Sequence, residues 1–327
     1  MATLKEIAEI AGVHITTVSK ALNNANDVSI NTKNKIIRIA QDVGYSPKHL
    51  QKKEGESFTI AAIYPDFQSS YFSRLLMSIE ASIASKGGFL VTACSQFNPE
   101  VELNLLRQFT QMQGIDGIIL ISPDNEFENR LKDYELHIPV VVLANEEVSK
   151  KYDFINIDDM GGIEYLKRMG HKQIGYLGET LTFQRLKYFR QAMEKHGLPV
   201  DESFIRVSPY RFEEAGYTAM NDMIESGSLR TAIYAAYDNI AIGALRALYG
   251  AGLKVPDDIS IVGQDDILVS SYLKDRLTTI NCHIEEQGSI VASILHTKIL
   301  NPNFKAIQNV VISTELMLRD STGVNKR

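Results

Sequence analysis

The chain has no tryptophan and only two cysteines, Cys94 and Cys282, which lie far apart and in no CxxC pair. That excludes a disulfide-stapled scaffold and a thiolate metal site, and it predicts two ordinary buried thiols in a reducing compartment. Long apolar runs are missing too, and none approaches the length needed to span a bilayer. The opening MATLKEIAEIAG sets charges among its apolar residues, unlike the uninterrupted core of a signal peptide. The expectation is a cytoplasmic protein with no membrane partner. The usual catalytic signatures are absent as well: no GxSxG elbow, no GxxxxGK(S/T) loop, no HExxH, and no GxGxxG opening a helix. The seven histidines (14, 49, 137, 171, 196, 283 and 296) are scattered without metal-ligand spacing. His171, in MGHKQI, is predicted to cap a helix end or face solvent. Asp265 and Asp266 are adjacent, so on an extended segment they point to opposite faces and cannot flank one bond. The expectation is a protein that is not an enzyme and holds no metal and no cofactor.

What is present is ordinary in bulk and uneven in placement. The 327 residues are 44% hydrophobic and 23% charged, which allows two or three globular domains. Residues 1–53 hold eight basic and four acidic side chains, a net of +4, whereas the whole chain carries −6. A basic head on an acidic body points to a polyanion met at one end only.

The head reads as three helices. Thr3 followed by Glu6 is a capping box, and Leu4, Ile7, Ala8 and Ala11 then recur on one helical face. Gly12 suits a sharp turn. From Ile15 a second helix turns Val18, Ala21 and Leu22 inward and leaves Ile15, Thr16, Ser19 and Lys20 outside. Ser29 caps a third helix with Ile36, Ile39, Ala40 and Val43 as its apolar stripe and Gly44 as its stop. A three-helix bundle with no partner would satisfy the periodicity alone. An idle surface helix more often carries Glu–Lys pairs, however, whereas short polar side chains with one cation can enter a major groove.

After a polar, basic stretch bounded by Pro47 and Gly55, the texture changes to β-rich runs alternating with helical stripes. FTIAAIYP, FLVTACS, GIDGIILIS, IPVVVLA, FINID, QIGYLGE, FIRVS, TAIYAAYD and ISIVGQDD read as strands. Repeated β-α alternation argues for parallel sheets with helices on both faces, and the length argues for two lobes. In such sheets ligands sit beyond the carboxyl ends of the strands. The polar residues at those ends are Asp66, Ser95, Ser122, Asn145, Asp158, Glu179, Tyr237, Asp238, Gln264, Asp265 and Asp266.

The string TLKEIAEIAGVHITTVSKALN, with VSINTKNKII and VGYSP behind it, resembles the head of the LacI/GalR family of transcription regulators. The body strings YPDFQSSYF, MGHKQIGYLGE, RLKYFRQAM, YDNIAIGALRAL, GLKVPDDISIVGQDD and ELMLRDST resemble that family's periplasmic-binding-protein-like effector module, so the likeness runs nearly end to end. It implies an all-α helix-turn-helix head (1–46), a hinge (47–57), a two-lobed α/β domain with parallel sheets (58–323) and a short tail (324–327). The first lobe would hold about 58–157 with 284–313, and the second about 158–283 with 314–323. It also implies a homodimer that binds a palindromic double-stranded DNA operator. Effector control, by a sugar or sugar phosphate bound between the lobes, would act on carbohydrate-utilisation genes. Ile15 and Thr16 would read bases, and Lys20 would point into the groove. Ser19, Asn23, Ser29 and Thr32 would position the head on phosphates, with Leu4 and His14 also at the DNA face and Leu50 the apolar candidate for a minor-groove wedge. Asp66, Tyr71, Phe72 and Ser122 would line the effector site from the first lobe. Arg185, Tyr210, Phe212, Tyr237, Asp238 and Asp265 would line it from the second.

The sequence departs from the family pattern in places. His14 stands where serine is usual, Lys20 where arginine is usual, and the hinge is about two residues short, with Glu54 near the wedge position. Tyr237, Gln264 and Cys282 are further departures. A sugar-binding transport or sensing module without a DNA role, or a regulator answering to a nucleobase-type corepressor, would fit parts of the same pattern.

Overall fold

A capping box starts the first helix, α1 (Leu4–Ala11): the Thr3 hydroxyl accepts from the Glu6 N–H at 3.3 Å, and the Thr3 N–H donates to the Glu6 carboxylate at 3.4 Å. Gly12 ends it in the left-handed region, at φ +69°, where a side chain would be strained. Lys35 reaches back from α3 (Ile30–Asp42) to the Ala11 carbonyl at 2.8 Å, adding a cation at the C-terminal end of α1. With α2 (Ile15–Leu22), these helices enclose a small core of Ile7, Ala8, Ala11, Val18, Ala21, Val28, Ile36 and Ala40, with Leu4, Val13, Leu22 and Ile39 packed at its margin. The computed structural model describes residues 3–22, 25, 27–43, 45, 55–121, 126–131, 136–144, 151–158 and 161–326. The hinge candidate Leu50 lies outside the described residues.

The chain as a whole divides into two compact units, one comprising Met1–Asn156 with Glu285–Val310, the head included, and the other Ile157–Ile284 with Val311–Arg327. The first holds β1 (Phe58–Tyr64), α4 (Ser70–Ala84), β2 (Gly88–Cys94), α5 (Pro99–Gln111), β3 (Gly117–Ile121), the short α6 (Phe127–Arg130), β4 (Val140–Leu143), most of β5 (Asp153–Asp158) and all of α11 (Ile284–Leu300) except its first residue. The sheet order is β11-β5-β4-β3-β1-β2, with β11 at Asn309–Ser313. Pairings from β2 through β5 are parallel. Strands β3 and β4 are buried along their whole length, which is why GIILI and VVVL are unbroken apolar runs and not alternating ones. Strand β2, at the sheet edge, buries only Gly88 and mixes exposed and half-buried positions after it.

The second unit holds α7 (Gly161–Arg168), β6 (Ile174–Glu179), α8 (Phe183–Lys195), β7 (Ile205–Ser208), α9 (Phe212–Glu225), β8 (Ala232–Ala235), α10 (Asp238–Gly250) and β9 (Ser260–Val262). Its sheet runs β7-β6-β8-β9, all parallel. Strands β10 (Thr279–Asn281) and β12 (Glu315–Met317) add an antiparallel pair. Helices α9 and α10 meet backbone to backbone through two glycines. A Cβ on Gly216 would lie 1.8 Å from the Ile240 carbonyl oxygen, and one on Gly243 would lie 1.9 Å from that of Glu213.

His171 departs in part from expectation. Its N–H does close a helix end, bonding the Leu166 carbonyl at 3.0 Å behind Gly170, but its ring does not face solvent, being 2% exposed with Nδ1 2.9 Å from the Thr231 hydroxyl and Nε2 donating to the Gly323 carbonyl at 3.0 Å. Burial lowers its pKa, so the ring is a neutral tie between the C-terminal segment and the sheet. Of the two free thiols, Cys282 is buried as expected, whereas Cys94 is half-buried.

Candidate functional sites

The first candidate site is the outer face of α2. Ile15 is 40% exposed and Thr16 stands beside it on the first turn, while Lys20 lies in the last turn. His14 fills the cap position. Its Nδ1 lies 2.8 Å from the Thr16 hydroxyl and accepts the Thr16 backbone N–H at 3.3 Å. A backbone N–H can only donate, so Nδ1 carries no proton, and the imidazole does what a serine oxygen does at a helix start. Ser29 caps α3 through the Thr32 N–H at 3.2 Å, and the two hydroxyls lie 2.8 Å apart. Lys20 is ion-paired with Asp27, whose carboxyl is held below its usual range chiefly by that hydrogen bond. Ser19 and Leu4 are half-buried, Leu4 against the head's core. Asn23 lies outside the described residues.

The second candidate site is at the carboxyl ends of β6 and β8, where the strand order of the second unit's sheet reverses. That reversal is where doubly wound sheets open a crevice. Arg185, in the first turns of α8, donates to the Ala236 carbonyl at 2.5 Å and to the Asp265 carboxylate at 2.9 Å. Their side chains are 16% and 6% exposed, so the pair is largely desolvated. The Arg185 guanidinium also lies 5.9 Å from the Tyr237 ring centre. A second pair stands alongside: Arg211 donates to Glu179 at 3.3 Å and rests 4.4 Å from the Phe212 ring centre. Glu179 is 2% exposed, and its other oxygen, Oε2, has no hydrogen-bond partner among the described residues. The Tyr237 hydroxyl accepts the Phe212 N–H at 3.2 Å, and the two rings meet edge to face. Burial first, then the Glu179 charge, pushes the Tyr237 phenol well above its ordinary pKa, so it remains protonated. Phe212, Asp265 and Asp266 all have positive φ (54°, 99° and 48°), a conformation that costs a non-glycine residue roughly 1–3 kcal/mol and gathers at binding sites.

Asp265 and Asp266 have separate partners, Asp266 pairing with Arg319 at 2.5 Å, but they lie beyond the end of β9 with positive φ, so the strand alternation expected from sequence is not what separates them. Tyr210 is 49% exposed at the end of β7, with its N–H on the Ser208 hydroxyl. Asp238 requires a correction. It is fully buried, and its carboxylate accepts from the Ile267 N–H and the Ser270 and Thr279 hydroxyls. That saturates its oxygens with structural partners and makes it an anchor for the 267–270 turn, not a ligand contact. Gln264 and Cys282, two of the departures from the family pattern, touch each other at 3.9 Å, and Gln264 also accepts from the Tyr234 hydroxyl. Sequence reasoning marks Glu179 only as a strand end and does not single out Arg211, whose one signal is a basic residue between two aromatics, three residues beyond β7.

In the first unit Asp66 lies just beyond β1, whereas Tyr71 and Phe72 lie in the first turn of α4. Asp66 accepts the Gln68 N–H at 2.9 Å. Tyr71 donates to Gln287 at 3.0 Å and meets Phe72 edge to face, and Phe72 meets Phe97 the same way. Ser122 lies outside the described residues.

A three-helix head with a polar recognition face, followed by two parallel-sheet units with charged and aromatic residues at their strand ends, defines a DNA-binding regulator joined to a ligand-sensing body. Comparison with known proteins gives the family. Residues 3–48 match the bacterial regulatory proteins, lacI family, and residues 163–322 match the periplasmic binding protein-like domain. The chain is 30% identical to the probable HTH-type transcriptional repressor ExuR of Bacillus subtilis, over 98% of each protein. It is similar to a LacI family transcriptional regulator of Enterococcus faecium solved with bound ribose (26% identity, 82% of this chain and 100% of that one, TM-score 0.67). The lac repressor dimer bound to operator and the anti-inducer ONPF shares its fold (23% identity, 98% and 99% covered, TM-score 0.70). The chain belongs to the lacI family of bacterial regulatory proteins.

Proposed function

We propose that this protein is a cytoplasmic repressor of carbohydrate-utilisation genes that binds a palindromic operator as a homodimer and is controlled by a small sugar-like effector. The observation that carries the reading is the presence, in one chain, of the α2 face and the paired-charge, aromatic strand-end site. Ile15 and Thr16 contact base edges, and Lys20 approaches the groove beside them. Ser19, Ser29 and Thr32 meet phosphate oxygens, which fix register without reading sequence. One such head spans too few bases for specificity, and a dimer placing two heads on successive half-sites supplies the rest. Exposed apolar side chains on the first unit, Met77, Phe89 and Val91, offer surface for such an interface.

The effector occupies the strand-end site of the second unit. Arg185 donates to its hydroxyls, Asp265 accepts from them, and the Phe212 or Tyr210 ring covers an apolar sugar face. Binding there shifts the population of body conformations and with it the spacing of the two heads. The test is a gel shift on palindromic DNA from upstream of the protein's own gene, at stated salt, with a panel of sugars. Specific retardation altered by one of the sugars is expected. Equal retardation of palindromic and scrambled DNA contradicts the reading.

A further inference from the structure

The strand-end site has an unusual charge balance. Its two cations, Arg185 and Arg211, are each held by a buried carboxylate of the same unit, Asp265 and Glu179. Each guanidinium is thus already compensated, and the site presents donors and acceptors side by side. A hydroxyl both donates and accepts, so neighbouring hydroxyls of a polyol engage an Arg N–H and a carboxylate oxygen together. A phosphate or carboxylate offers acceptors alone. It would find no surplus positive charge, and it would bring like charge against Asp265 and Glu179.

Resting on the effector reading above, we propose that the site is selective for an uncharged polyhydroxylated molecule, a free sugar or a nucleoside, and rejects sugar phosphates, uronates and nucleotides. This narrows the sequence expectation, which left a sugar phosphate open. Asp265 and Glu179 become specificity-determining residues: they accept from the ligand, and they cancel the arginine charge that would otherwise draw an anion.

The experiment is calorimetric titration of the full chain with matched probes: aldoses against their phosphates and uronic acids, nucleosides against their monophosphates, and inorganic phosphate alone at constant ionic strength. The wild type is expected to bind a neutral member and to bind its charged counterpart at least about tenfold more weakly, with no saturable heat from inorganic phosphate. The double variant Glu179→Gln with Asp265→Asn leaves both arginines uncompensated and is expected to bind inorganic phosphate saturably. Asp265→Asn alone serves if the double variant does not fold. A charged member binding the wild type as tightly as its neutral partner, or saturable phosphate binding by the wild type, overturns the selectivity while the site stands. Silence from every probe, in the wild type and in the variants, overturns the site itself.

Discussion

At the scale of single residues, Lys20 shows how a fixed side chain acquires a context that spacing does not reveal. It is ion-paired with Asp27, so on the proposed reading of the α2 face Asp27 would compete with DNA for Lys20 and repel phosphate. Asp27→Asn is expected to tighten binding to specific and random DNA alike, by about threefold to tenfold at low salt, with a steeper salt dependence, in fluorescence anisotropy titrations. A change in preference at one base pair without a general gain would show instead that Asp27 reads sequence. His14 is legible in the sequence as a departure but not as a helix cap, because the side chains that commonly accept a first-turn N–H are short and carry oxygen. His14→Ala should cost the head about 1 kcal/mol by removing the acceptor for Thr16, and His14→Ser should restore it, as read by thermal melts of the full chain. Asp238 illustrates the opposite case. The sequence placed it at a strand end with the ligand residues, but only the fold brings Ile267, Ser270 and Thr279 around it. Burial raises its pKa to about 7, well above the value near 4 of an unfolded aspartate. Because the folded state then binds the extra proton, stability from this group is full below about pH 4 and is lost as pH rises through about 7. Asp238→Asn keeps an acceptor and removes the buried charge. Its melting temperature relative to the wild type should therefore be more favourable at pH 8 than at pH 5.

At the scale of elements, strands and helices were largely readable, because fully buried parallel strands are written as continuous apolar runs and amphipathic helices carry a 3.6-residue period. The short strands β10, β11 and β12 were not read. They are three to five residues long, and their pairing partners lie far away in sequence or belong to an irregular segment. The junction of α9 and α10 was equally silent in the sequence, since a glycine inside a helix reads only as a weak position. In the fold Gly216 and Gly243 permit contact of the two helix backbones. Gly243→Ala should therefore destabilise the second unit by about 3 kcal/mol or more, against the slight gain that alanine brings to an exposed helix, checked by denaturant unfolding. The head is a small core with little in reserve. Ile36→Ala, which removes a fully buried side chain, costs about 2–5 kcal/mol and should abolish DNA binding while the body still unfolds at its usual temperature.

For the whole molecule, a helix-turn-helix head is joined in one chain to a periplasmic-binding-protein-like body. The three-helix head was legible from caps, a turn glycine and one polar face, all of them local. The body's site was only half legible. Arg185, Phe212, Tyr237 and Asp265 were marked by position, yet their arrangement into two compensated ion pairs depends on Arg211 and Glu179, whose meeting no spacing rule encodes. The decisive measurement is operator affinity of the full chain, titrated with the neutral ligand that calorimetry identifies, for the wild type and for Arg185→Lys. Lysine retains the charge beside Asp265 but loses the planar fork that bonds Ala236 and Asp265 together. The ligand is expected to change operator affinity of the wild type, and Arg185→Lys to require at least about tenfold more ligand for the same change. An operator affinity indifferent to ligand in the wild type, or an identical ligand response in Arg185→Lys, would contradict effector control through this site.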